Sequence, residues 1–252
     1  LRYRRSLRPK AYDQVDLNAA LAHLPQVLCS TDRKGPEHRF AQQDLDRIAA
    51  HRPDVLLRFG FNILKGGILD LPTHGVWSHH HGDELRYRGQ PPLFWELLAG
   101  EKVAGSVLQR LTNKLDAGRV LMKYHFALPD HGLSAALDHV LLGSTDQMAR
   151  VCRMILAGNV AAADGEPSTT TAPVRKYPRN LEFLRFERRI AANRTKRRDR
   201  VHDRDKETNF GVLYQPIASL LKERPSLNVR WLPPPNNGQG RATPFGYMAD
   251  GQ

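Results

Sequence analysis

The chain has 252 residues, 40% of them hydrophobic, enough for one large domain or for one domain with an appendage. Its formal charge of +12 is uneven: residues 175–206 hold 13 Lys and Arg against 5 Asp and Glu, a net of +8, so the basic balance says little about the rest. Two cysteines, Cys29 and Cys152, exclude a disulfide framework and a cysteine metal site and point to a reducing, cytoplasmic setting, while no apolar run approaches the ~18 residues of a membrane span and no signal peptide is evident.

Residues 1–15 are basic and irregular, and the opening Leu1 suggests a fragment or a processed product. A short helix is predicted over 16–22 and a short strand over Gln26-Val27-Leu28-Cys29. Residues 41–51 have a helical pattern, with Leu45, Ile48 and Ala49 on one face and Pro53 beyond the end. Residues 54–60 read as a buried parallel strand running into a glycine turn. Residues 63–69 make a short helix or turn, closed by Leu71-Pro72, and 76–80 the next strand. Pro91-Pro92 opens a helix carrying Leu93, Phe94, Trp95, Leu97 and Leu98, because proline suits a first helical turn; Gly100 ends it. Residues 103–111 and 119–128 alternate apolar and polar side chains and pair as an antiparallel return around Asp116. Residues 134–156 are predicted as one long amphipathic helix, capped by Ser134 and ended near Gly158.

This order of helices and strands argues for an α/β fold, a mixed sheet with flanking helices, over residues 1–160. Residues 161–208 are expected to be a linker followed by the basic segment. Residues 209–252 look too short to bury a core and read as a partial C-terminal segment, the start of a second domain.

The chemistry concentrates in residues 75–89, Gly-Val-Trp-Ser-His-His-His-Gly-Asp-Glu-Leu-Arg-Tyr-Arg-Gly. Imidazoles and carboxylates at this density have little structural use, because each one buried without a partner is unfavourable. A strand delivering titratable groups to a cleft accounts for them, and His80 falls at its carboxyl end, where parallel strands place functional loops. Alternation sends His80 to one face and His79 and His81 to the other. His79, His81 and Asp83 have metal-binding chemistry but lack a fourth ligand, so no metal is expected. Asp116, between two strand-like runs, adds a carboxylate, and together these residues suggest a His and Asp site for acid–base or oxyanion chemistry.

From residue 54 to residue 128 the chain resembles the folate-dependent formyltransferases, which include methionyl-tRNA, glycinamide ribonucleotide and sugar amine enzymes, and the related formyltetrahydrofolate hydrolases. The elements that carry the resemblance are Leu71-Pro72-Thr73-His74-Gly75, Ser78-His79-His80, Arg88-Gly89 and Leu115-Asp116-Ala117-Gly118, in the family's order and spacing. Ser78 stands where the family has asparagine, and Gly82-Asp83-Glu84-Leu85 where it has Ser-Leu-Leu-Pro. The family's first Rossmann-like strand is shortened here. The C-terminal run Val229-Arg230-Trp231-Leu232-Pro233-Pro234-Pro235, with Pro244-Phe245-Gly246, resembles the opening of a β-propeller domain like that of plant glucosaminyl inositolphosphorylceramide transferases.

The resemblance implies formyl transfer from 10-formyltetrahydrofolate to an amine, most plausibly of an amino sugar on a nucleotide or lipid carrier. Attack by the amine builds a tetrahedral oxyanion, where each preorganised donor is worth about 2.7–4 kcal/mol. His80 supplies a donor or a proton, Ser78 a second donor, and Asp116 orients His80 or accepts the amine proton. Arg58, Phe59, Gly60, Phe61, Asn62 and Leu64, with Leu115, frame the folate. Arg86 and Arg88 meet an anionic group on the acceptor. Two alternatives stand beside this reading. One is hydrolysis of a formyl-type substrate at the same residues. The other is a non-catalytic, truncated domain that binds an anionic partner through the basic segment; nucleic acid is not expected, because that segment lacks interleaved aromatics.

Overall fold

The computed structural model describes residues 9–113, 118–202, 211–213 and 229–231, with side chains described up to residue 196. Two compact units are present, Leu1–Arg194 and Thr195–Gln252. Of the second, the described strand residues are Gly211–Leu213 and Val229–Trp231, paired antiparallel.

The first unit opens with a short helix, α1 (Asn18–Leu21), and a hairpin of β1 (Thr31–Lys34) and β2 (Glu37–Phe40). Gly35 turns that hairpin at a φ of 59°, in the left-handed region glycine enters freely. The strand expected at residues 26–29 does not form; Leu28 lies 83% exposed. Its apolar run has no sheet to cover, whereas the polar hairpin just after it escapes a reading based on apolar alternation. Helix α2 (Gln42–Ala49) follows and packs Leu45 and Ile48 against Leu64, Ile68, Leu69 and Val76.

The strand predicted over residues 54–60 shrinks to β3 (Leu56–Leu57), an edge strand parallel to β5 (Val76–His80). Between them, β4 (Ile63–Lys65) lies parallel to β2, and Gly67–Leu69 makes a single tight turn. After β5 the chain forms the two-residue β6 (Arg88–Gly89), then α3 (Phe94–Ala99), which ends at Gly100 with a φ of 83°. The long hairpin expected around Asp116 is present as β7 (Val103–Arg110) and β8 (Arg119–Ala127).

One correction concerns the long helix of residues 134–156. It is two helices, α4 (Leu133–Gly143) and α5 (Gln147–Leu156), and Gly132 rather than Ser134 sits at the first N-cap. Ser144 Oγ and Thr145 Oγ1 donate to the carbonyls of Leu141 and Leu142 at 3.0 and 2.9 Å, competing with backbone donors for the end of α4. Gln147 then enters the core and donates from Nε2 to Ser106 O at 3.1 Å.

Within the stretch expected to be a linker and basic segment, residues 161–194 belong to the first unit: β9 (Glu166–Pro167) extends the sheet beside β8, β10 (Val174–Arg175) pairs in parallel with β6, and α6 (Asn180–His202) begins there. Phe186 and Ile190 of α6 are buried with Leu93, Phe94, Leu97 and Leu137, and the Phe94 and Phe186 rings stack at 4.4 Å. Each such burial is worth about 1.5–3 kcal/mol, which is why a small, Thr-rich segment ahead of a charged helix is nevertheless held in place.

The main sheet thus has the order β3-β5-β7-β8-β9, mixed because β3 and β5 are parallel and the other pairs antiparallel. Leu108 and Trp77 meet Met148 and Val151 of α5, while Ala104 meets the cluster formed by α3, α4 and α6. Trp77, His79 and His81 share the helix-covered face. Ser78 and His80 fall on the other, with Val76 beside α2.

Candidate active site

On that second face a cleft of about 600 Å³ opens at the end of β5. Its walls come from three stretches, residues 58–63 after β3, residues 78–81 at the end of β5, and Gly89, Gln90, Pro92 and Val174 around the β6–β10 pair, and from Pro36 in the β1–β2 turn. Gln109 joins them because the β5–β7 register sets it opposite Ser78.

Ser78 is 2% exposed, and its Oγ accepts a hydrogen bond from Arg58 Nε at 3.0 Å. The same guanidinium donates to Phe61 O at 2.7 Å and to Asn62 O. One cation therefore braces the loop of residues 58–62 and lies behind the serine oxygen. The hydroxyl hydrogen has a poor protein acceptor, His79 O at 3.4 Å, and so remains a usable donor. Gly60, with a φ of 76°, turns this loop and has open space where a side chain would stand, while Phe59 is 66% exposed beside it.

His80 Nε2 lies 2.9 Å from Tyr87 O. A carbonyl only accepts, so Nε2 carries the hydrogen and Nδ1 carries the lone pair of the neutral ring. Tyr87 belongs to a tightly tied loop. Its own N–H and that of Arg86 bond to Asp83 O at 2.7 and 2.9 Å. Asp83 and Glu84 share Lys123 of β8 at 2.5 and 3.0 Å. The Tyr87 hydroxyl donates to Glu101 at 2.8 Å, and burial followed by that carboxylate pushes the phenol up to about 12. The acidic loop is thus a brace for the carbonyl that orients His80.

His79 and His81 stack with ring centroids 5.5 Å apart on the covered face, and His81 Nδ1 lies 3.3 Å from Ser106 Oγ. Burial holds both below the ordinary histidine range, His81 at about 4, with the neighbouring imidazoles adding to the effect there. They are partly buried imidazoles, and Asp83, weighed with them as a metal ligand, bonds to Lys123.

The cleft brings together Ser78, His80, Arg58, Phe59, Gly60, Phe61 and Asn62. It does not include Leu64, which is 6% exposed in the core beside α2. Arg86 faces away to Glu101, with Nη2 and Nη1 at 2.5 and 3.2 Å from its two carboxylate oxygens. Arg88 donates to Ala172 O at 2.8 Å and ties the β10 segment to β6. Asp116 and Leu115 lie outside the described residues.

Sequence reasoning missed Gln90, Gln109 and Val174. It also missed Glu96, a buried carboxyl of α3. A Cβ on Gly82 would stand 3.1 Å from Glu96 Oε1 and 3.2 Å from His80 Nε2, so the carboxyl and the imidazole share the space over Gly82. Burial, with Asp83 and Glu101 adding, pushes Glu96 up to about 7. A glutamate within an apolar run, Phe94-Trp95-Glu96-Leu97-Leu98, was the available signal.

The sequence pattern of the formyl transferase family matches residues 8–134. A curated relative, the bifunctional polymyxin resistance protein ArnA of Wigglesworthia glossinidia brevipalpis, is 29% identical over 138 residues, 54% of this chain and 21% of the relative. The chain therefore spans about a fifth of that relative's length. Among solved structures, HypX from Aquifex aeolicus in complex with tetrahydrofolic acid is 19% identical at a TM-score of 0.41, covering 57% of this chain and 27% of that one. An N-formyltransferase from Helicobacter canadensis, in complex with folinic acid and dTDP-3-aminofucose, is 12% identical at a TM-score of 0.37, covering 53% of each chain.

Proposed function

Because the chain belongs to the formyl transferase family, we propose that it moves a formyl group from 10-formyltetrahydrofolate to a primary amine of an amino sugar at the cleft holding Ser78 and His80. The single observation that carries this reading is the pair itself: a hydroxyl donor and an imidazole with a defined lone pair, both on the cleft face of β5. The cleft is of a size used for small ligands, which are typically held in about 300–1,000 Å³. The turned loop at Gly60, with its exposed Phe59, suits a flat heterocycle approaching backbone, so residues 58–62 are assigned to the folate.

When bound, the folate supplies the formyl carbon: the amine nitrogen bonds to it, its bond to N10 breaks, and the proton shed by the amine ends on N10. The protein's part is positional and electrostatic. His80, held through Nε2, takes the amine proton at Nδ1 and returns it to the leaving nitrogen. The Ser78 hydroxyl, polarised by the Arg58 guanidinium at its oxygen, donates to the developing oxyanion. Asp116 is assigned to orient His80 or relay that proton.

The test is calorimetric titration with 5-formyltetrahydrofolate, followed by an assay of amine formylation with dTDP-3-aminofucose as the first acceptor. The reading predicts binding to the wild type and to His80→Asn, with turnover in the latter lower by about 10²–10⁴. Formate release without any amine means water takes the acceptor's place. A folded protein that binds no folate compound refutes folate-dependent transfer.

A further inference from the structure

We propose that residues 170–175, beyond the stretch matched by the family pattern, form a wall of the amine-acceptor half of the cleft, with Val174 as a specificity-determining residue. The inference rests on the formyl-transfer reading and deepens it. Its ground is how firmly this segment is joined to the site. Strand β10 runs parallel to β6, and Gln90 N–H donates to Arg175 O at 3.0 Å. Arg88 donates to Ala172 O, and Thr170 Oγ1 donates to Glu84 O at 2.6 Å. The Arg175 guanidinium stacks 5.2 Å over the Trp95 ring. At Gly89, whose φ is 94°, a Cβ would overlap the Arg175 carbonyl, so the close approach of the two segments requires glycine there.

These ties flank Tyr87, whose carbonyl orients His80, and they carry the isopropyl group of Val174 to the cleft lining, 47% exposed. With residues 58–62 assigned to the donor, the described lining outside β5 that is left for the acceptor is Pro36, Ile63, Gly89, Gln90, Pro92, Gln109 and Val174. That chemistry is uncharged: two amides, two pyrrolidine rings and two branched alkyl groups. Among the described lining residues Arg58 is the one permanently charged side chain, and it is bonded to Ser78, Phe61 and Asn62. The acceptor part seated against Val174 is therefore the sugar ring bearing the amine, and any phosphate it carries lies beyond this wall.

Val174→Trp narrows the wall, and Val174→Ala widens it, at a half-exposed position where both should fold. The measurements are the Kd of 5-formyltetrahydrofolate and kcat/KM for dTDP-3-aminofucose, with circular dichroism as the folding control. A tenfold or greater fall in kcat/KM for Val174→Trp, mostly in KM, with the folate Kd within twofold of wild type, supports the proposal. An equal loss of folate affinity places Val174 on the donor side and overturns it. Unchanged values in both variants overturn it as well. Failure of the formyl-transfer reading appears separately, as absence of folate binding by the wild type, and the proposal falls with it.

Discussion

Buried Glu96 and partly buried His81, two groups with opposite acid–base behaviour, lie near His80. Glu96 rises from 4.5 to about 7 on folding, so between those pH values the folded chain keeps a proton that the unfolded chain has lost. Its contribution to stability is full below pH 4.5 and is lost as the pH rises through 7. His81 falls from 6.5 to about 4, so its contribution is full above pH 6.5 and is lost as the pH falls through 4. Each swing is on the order of 3 kcal/mol, and across pH 4–7 they oppose each other. Glu96→Gln should therefore raise Tm at pH 8 and make the protein lose stability more steeply on acidification; a Tm profile parallel to wild type between pH 4 and 8 would contradict the assignment. On the proposed mechanism, His80→Asn should lower kcat by about 10²–10⁴. Ser78→Ala should lower it by up to about 10²–10³, with the folate Kd little changed in either. Steady-state kinetics beside calorimetry check both. His80 and Ser78 were legible because alternation along a strand assigns faces without knowledge of the fold. The pairing of Arg86 with Glu101 was not legible, because nothing local announces that a carboxylate fifteen residues on takes its guanidinium.

Elements were readable in proportion to how locally they are determined. Strand β5 and the β7–β8 hairpin declared themselves through alternating side chains, and the end of α3 through Gly100, whereas Pro91-Pro92 lie before α3, which begins at Phe94, and not in its first turn. The break between α4 and α5 did not, since apolar spacing continues through it while the interruption depends on Ser106 of β7 accepting from Gln147. The β6–β10 pair is two residues long and joins parts of the chain far apart in sequence, so no local pattern marks it. Gly89→Ala should force the two segments apart, because the added carbon meets backbone and the φ is positive. The expected outcome is a Tm drop of several degrees, with faster amide exchange at Gln90, whose N–H bonds to Arg175 O. Protection at Gln90 equal to wild type would mean that the contact is not needed to hold the segment.

For the whole molecule, the stretch expected to end a domain at residue 160 does not end the first compact unit, which continues to Arg194. Burial of Phe186 and Ile190 contributes about 1.5–3 kcal/mol each, and in a domain of this size 1 kcal/mol shifts Tm by about 2–4 °C. A fragment of residues 1–194 should melt cooperatively and bind 5-formyltetrahydrofolate like the full chain. A fragment of residues 1–160 should melt at least about 10 °C lower or without a cooperative transition; differential scanning calorimetry of the two decides it. Among the described residues no helix is long and apolar enough to cross a membrane. The β-propeller resemblance rests mostly on residues outside those described.

By itself the sequence determined the α/β class, the strand that presents Ser78 and His80, the separation of His80 from His79 and His81, and the family. All of these follow from side-chain periodicity or from motifs compact enough to read along the chain. Tertiary structure alone decided that Tyr87 orients His80, that the acidic loop braces Tyr87 through Lys123, that Arg58 serves Ser78, and that Val174 reaches the cleft. Each of these is a contact between segments whose separation in sequence carries no period, and only the packing of the sheet against its helices brings them within hydrogen-bond range.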